Sequence, residues 1–336
     1  MTVTVSTEWS YNGIPAVILE NRLLRAAVLP ALGAKIWQLT YLPAGRELLW
    51  HHPRIRPRPL PFHSTYDDVF FGGWDELFPN DLAEELGGER MPDHGEVWTL
   101  PWDYALERVT PEEAVLHLWV ETPISACRVE KWLALRAGEP KLRFRHRITN
   151  LGRHEQPFLW KLHPALAVDE HSRIDMGARE VYVEDFGPPR NGRTGVRYHW
   201  PFLTDDEGRR HDMRRCLPAS AGVNEFQYAT ELDGGWCALT HTRERIGLGL
   251  AWEREKLPSC WIFASYGGWR ALQVAILEPC TGYPVSVADG VARGTHQLLA
   301  PGASLVCDVT ATVYTGVSGV AHIDADGNVT ADETDS

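Results

Sequence analysis

The chain has 336 residues, of which 44% are hydrophobic and 23% charged, and a net charge of −12. That is enough apolar material for a large core, in one domain or two. No apolar run reaches a membrane-spanning length before a charge or proline interrupts it. Five of the negative charges lie in the last 15 residues, which leaves the body near −7 and argues against a nucleic-acid partner. The opening MTVTVSTEWSYNG has no basic region followed by an apolar core, so no secretion signal is expected. The six cysteines (127, 216, 237, 260, 280 and 307) are scattered without a CxxC pair, which reads as reduced, buried thiols of a cytoplasmic protein.

In chain order, PAVILE, LLRAAVLP, GAKIWQLTYL and ELLW read as short antiparallel strands separated by Asn, Pro and Gly. Residues 51–68 hold four prolines and three alternating arginines (Arg54, Arg56, Arg58), and are expected to form a solvated loop. Residues 69–104 are irregular and crowded with glycine pairs, acids, His94 and large rings. A long loop of this kind inside a compact domain suits a functional segment, and acids beside flat aromatic faces suit a polyol such as a sugar.

Strands resume at 114–120, 127–136 and 141–149. In the last, Leu142, Phe144, His146 and Ile148 alternate with Lys141, Arg143, Arg145 and Arg147, which predicts one buried and one solvated face, with His146 in the core. Further apolar strands are expected at 157–168, 271–284 and 304–314, while 185–233 reads as polar connections. DADGNVTADE near the C-terminus does not match a calcium loop, because its glycine stands fourth instead of sixth. About 15 short strands with almost no helix imply a large all-β antiparallel sandwich over residues 1–316. Residues 317–336 read as an acidic disordered tail.

Three ionisable residues fall where the pattern predicts core or strand ends: His94, His163 and Glu278. His163 and Glu278 each precede a proline, which favours extended backbone and is expected to end each strand there, at the mouth of the sandwich. A carboxylate at such a position would be partly desolvated and a stronger base. Two histidines and a carboxylate could also hold a metal, but the HxH pattern with a nearby Glu is missing, so none is expected. A sugar hydrolase would need a second carboxylate facing Glu278, with Asp75, Glu76 and Glu96 as candidates.

At this point NRLLRAAVLPALGAKIWQL, RELLW, GGWDELFPND, PDHGEVW, LWKLHPAL and LEPCTGYP resemble, in order, blocks of the aldose 1-epimerase (galactose mutarotase-like) superfamily. The resemblance covers roughly residues 10–315 and implies a super-β-sandwich binding a monosaccharide or modified sugar without a cofactor. It implies Glu278 as base on the anomeric hydroxyl, His163 as acid on the ring oxygen and His94 as the second imidazole. The chain departs from the galactose enzymes in LWKLHPAL, where those carry a polar, Asn-rich run, so it is expected to be a divergent branch. Asp75 and Glu76 are expected to accept sugar hydroxyls, Trp74, Trp98 and Trp269 to stack on the ring, and Lys161 or Arg270 to meet any anionic group. The alternatives on the same scaffold are a non-catalytic sugar-binding protein and a sugar hydrolase or lyase.

Overall fold

The structure is a computed structural model that describes residues 2–333. Among these residues are 26 strand segments, three 3-10 turns and one α-helix, Val287–Arg293. The strand pairings described below are antiparallel. The chain divides into two compact units, Met1–Pro164 with Thr281–Val309, and Ala165–Cys280 with Thr310–Ser336.

In the first unit, Thr4–Tyr11, Ile14–Glu20, Leu24–Leu29 and Lys35–Tyr41 form one meander. Asp103–Val109, Glu113–Glu121, Cys127–Arg136 and Lys141–Asn150 form another. The alternation read in 141–149 is realised: Leu142, Phe144, His146 and Ile148 are buried. The short strand Trp74–Leu77 pairs with the start of Lys161–Leu166, Leu77 facing Lys161 and Trp74 facing Pro164, and touches the first meander where Ile36 meets Trp74.

The strands expected to stop before a proline run through it. Lys161–Leu166 contains Pro164, and Gln273–Cys280 contains Pro279 opposite Cys260. The extended backbone that proline imposes is strand geometry, and the missing N–H matters only where the ladder needs a donor. His163 and Glu278 are therefore interior strand residues, 4% and 1% exposed.

In the second unit, Ser172–Val183 pairs with the 19-residue strand Val223–His241. That strand divides its edge, with residues 223–229 on Ser259–Tyr266 and 236–241 on Ile246–Trp252. The sequence reading of 185–233 as connections misses its first half, because Asp233-Gly234-Gly235 interrupts the apolar pattern while the backbone continues extended.

The acidic C-terminal stretch also differs from the disorder expected of it. Val320–Ile323 and Val329–Ala331 form a hairpin. Val320 and Ile323 bury themselves beside Trp236 and Tyr314, the Val320 N–H donates to Asp175, and Asp332 pairs with Arg173. Two apolar anchors and one buried cation outweigh the low hydrophobicity of the rest. Residues 334–336 lie outside the described residues. All six cysteines are buried and free of disulfides.

Candidate functional site

His94 is placed by a clasp of two loops. Its N–H donates to the Asp81 carbonyl (2.6 Å), the Glu96 N–H donates to the Phe78 carbonyl (2.7 Å), and the Asn80 amide spans the carbonyls of Leu82 and Pro92. His94 takes φ +59°, in the left-handed region, and Gly95 follows at +76°. A Cβ at Gly95 would stand 2.2 Å from the Phe78 oxygen, so only glycine closes this turn. Glu96 anchors the far side: its carboxylate accepts from the N–H groups of Ile124 (2.7 Å) and Ser125 (3.0 Å) and from the Ser125 hydroxyl (2.6 Å). Glu96 is therefore an interior anchor for the 122–127 turn. A further carboxylate, Glu84, caps the helix Val287–Arg293, accepting from the N–H groups of Val287 (2.7 Å) and Ala288 (3.1 Å).

The centre of the arrangement is Tyr66, which a 3-10 turn at Tyr66–Val69 buries at the end of the proline-rich loop. Its hydroxyl donates to Asp75 Oδ2 (2.8 Å) and lies 3.0 Å from His163 Nδ1. Its ring stacks on His94 with centroids 4.4 Å apart and planes 12° from parallel, and Trp98 meets it edge-on at 4.9 Å. Its N–H donates to Asp93 Oδ2 (2.7 Å). Asp75 is also paired with the buried Lys35, whose Nζ donates in addition to the Gly72 carbonyl (3.0 Å). Gly72 has to be glycine: φ is +86° and a Cβ would meet the Trp50 oxygen at 2.1 Å.

The two imidazoles experience opposite fields. Burial pushes the His163 pKa down, and the cations Lys161, His94 and Lys35 push it the same way, so it stays well below its ordinary value. Burial also opposes charge on His94, but Asp81, 3.7 Å from Nε2, and Asp93, 3.1 Å from Nδ1, outweigh it and raise its pKa. Asp81 in turn is buried, yet Lys161 and His94 hold its carboxyl below the usual range.

The strand pleat separates residues that adjacency in sequence suggested belonged together. Asp75 lies in the Tyr66 network, whereas Glu76 points to the opposite face. There it pairs with Lys131 (3.0 Å) and contacts His146 Nε2 (3.2 Å) and Trp160 Nε1 (3.3 Å). Burial would raise its pKa, but Lys131 and His146 bring it down to about 2. Lys131 is held in turn by the Ala34 carbonyl at 2.8 Å. Glu76 is thus a core ion-pair partner. Trp74, 1% exposed, shares that face and packs against Phe144, so it is a core ring and not a platform. Trp98 is buried, its Nε1 donating to the Asp93 carbonyl (3.1 Å).

Lys161 pairs with Asp81. In the second unit, Glu278 stands opposite Trp261 on Gln273–Cys280. Trp269 and Arg270 occupy the turn between Ser259–Tyr266 and Gln273–Cys280, Arg270 exposed at φ +50° with its guanidinium 5.0 Å from the Trp269 ring. The structure thus joins His94, His163, Asp75 and Lys161 in one connected set. The sequence reading missed Lys35, Tyr66, Asp81 and Asp93. Lys35 had a signal, as a lone charge inside the apolar strand KIWQL. Tyr66 had none, because it sits in a polar, proline-rich stretch.

The antiparallel all-β architecture is the galactose mutarotase-like fold. The chain is similar to a galactose mutarotase-like protein from Clostridium acetobutylicum, with 13% identity, 94% of this chain and 99% of the other covered, and a TM-score of 0.68. A galactose mutarotase-like protein from Lactobacillus casei gives 15% identity, 89% and 100% coverage and a TM-score of 0.61. A protein from Synechocystis gives 18% identity, 92% and 100% coverage and a TM-score of 0.65. No protein-family profile and no curated protein sequence matches the chain. The likeness therefore lies in the fold.

Proposed function

We propose that the protein is an aldose 1-epimerase that interconverts the anomers of a monosaccharide or modified sugar without a cofactor. The observation that carries this reading is the pair of imidazoles, His94 and His163, on either side of one tyrosine, with pKa values pushed in opposite directions. Groups whose environments drive their pKa values apart are the natural donor and acceptor of a proton-transfer reaction. His94, whose pKa Asp81 and Asp93 raise against the effect of burial, is the proton donor to the ring oxygen. His163, neutral, accepts a hydrogen bond from a sugar hydroxyl. This exchanges the roles that the resemblance implies for the two histidines, and Glu278 keeps the base role through the late LEPCTGYP block.

The base takes the proton of the C1 hydroxyl while the bond from C1 to the ring oxygen breaks and the acid protonates that oxygen. Rotation about C1–C2 and closure on the other face, with the proton transfers reversed, gives the other anomer. Asp75, Trp269 and Arg270 are the proposed sugar contacts. Lys161, already matched by Asp81, needs no anionic substrate to account for its burial.

Polarimetry or NMR exchange spectroscopy over a panel of aldoses tests the reading. Glu278→Gln and His94→Gln should each lower the rate on the accelerated sugar by about 10²–10⁴-fold. If no sugar is accelerated, or Glu278→Gln retains the full rate, the proposal fails. Sugar-dependent thermal stabilisation without exchange would identify a binding protein instead.

A further inference from the structure

We infer that Tyr66 is a positioning residue that holds His163 in the tautomer with its proton on Nδ1, so that Nε2 carries the lone pair. The inference rests on the proposed function for its catalytic consequence, but not for its structural content.

The argument is one of proton counting. Asp75 is a buried carboxylate facing the Lys35 ammonium. It can only accept, so the Tyr66 hydroxyl, 2.8 Å away, gives it its single proton. The phenol oxygen then has only lone pairs to offer to His163 Nδ1, 3.0 Å away. A contact at that distance needs one proton between the two atoms, and only the imidazole can supply it. A neutral imidazole carries one N–H, so Nε2 is left as the acceptor.

Lys35 thus acts on His163 through two intermediaries: it pairs with Asp75, Asp75 fixes the direction of the Tyr66 O–H, and Tyr66 fixes the tautomer. The same ring is stacked on His94, and the same residue's N–H holds Asp93, which lies beside His94 Nδ1. One side chain therefore sets the ring of the donor and the proton of the acceptor. The other charged groups of this neighbourhood, Asp81 and Lys161, are paired with each other.

The test uses the full-length protein with 15N-labelled histidine and the variant Tyr66→Phe, which keeps the ring and removes the hydroxyl. In the wild type, two-bond nitrogen–proton correlations should show His163 with a protonated, pyrrole-like Nδ1 and a pyridine-like Nε2. The signals are assigned by their loss in His163→Gln. In Tyr66→Phe the population should shift toward the Nε2–H form, with His94 still folded against the ring. A wild-type His163 protonated on Nε2, or a tautomer unchanged in Tyr66→Phe, overturns the inference.

On a sugar that the wild type accelerates, Tyr66→Phe should lower kcat roughly tenfold, the order of one hydrogen bond to a charged network, with KM changed less than about twofold. A full kcat alongside a shifted tautomer also overturns the catalytic part. Failure of the wild type to act on any sugar defeats the proposed function alone, since the nitrogen shifts are read without turnover.

Discussion

Replacing Asp75 by Asn removes the carboxylate and leaves the Lys35 ammonium, 3% exposed, without its counter-charge. Breaking a buried ion pair from one side costs about 3–5 kcal/mol, because the remaining charge stays desolvated. Unfolding entropy near the melting temperature is roughly 2.1 cal/mol/K per residue, or about 0.7 kcal/mol/K for this chain. The variant should therefore melt about 4–7 °C below the wild type by calorimetry.

Burial already lowers the Lys35 pKa, with Asp75 the main opposing influence. Without Asp75 it falls further, so the folded variant sheds a proton that the unfolded chain keeps up to about pH 10.4. Stability rises with pH wherever the unfolded state binds more protons, so the deficit should shrink between pH 7 and pH 9.5. The double variant Lys35→Met, Asp75→Leu should recover most of the loss, since an apolar pair of similar size needs no charge compensation. An Asp75→Asn melting temperature within about 1 °C of wild type would refute the reasoning, as would a double variant no better than the single.

Further outcomes follow from the same geometry. Gly95→Ala should destabilise by at least about 2 kcal/mol, from left-handed backbone and the contact with the Phe78 oxygen, and denaturant melts would show it. Glu96→Ala leaves the donors of Ile124 and Ser125 without their acceptor and should cost about 3 kcal/mol, measured the same way. The raised pKa of His94 gives stability that is present below about pH 6.5 and fades as pH rises through the folded value. The lowered pKa of His163 acts the other way, costing stability as pH falls below about 6.5, so His163→Gln should flatten the acid-side decline in melting temperature. Deleting residues 317–333 should destabilise the second unit by uncovering Trp236 and Tyr314 and removing Asp332 from Arg173, visible as a lower melting temperature and increased dye binding.

The sheet was legible because its signal is periodic. Strands 113–121, 127–136, 141–150 and 304–315 stand within a residue of where alternation and apolar runs place them. The helix Val287–Arg293 escaped, although Ser286 three residues before Asp289 and Gly294 after Arg293 are its start and stop signals. Seven residues carry too little periodicity to stand out.

The candidate site was half legible. His94, His163 and Asp75 could be named because an ionisable group in a strand or a glycine turn is anomalous locally. What makes them one arrangement is Tyr66, with its hydroxyl between residues 75 and 163, and that is a property of tertiary placement alone. Sequence adjacency also misled, since Asp75 and Glu76 look equivalent until the pleat sends them to opposite faces.

The division of the chain has a consequence for how the protein is made. Each unit is assembled from two separated stretches: the first needs residues 281–309 and the second needs the stretch that begins at Thr310. During synthesis, neither can close its core until nearly the whole chain has left the ribosome. The nascent protein must hold strands such as Ile246–Trp252, fully apolar and buried in the finished molecule, without their last partners.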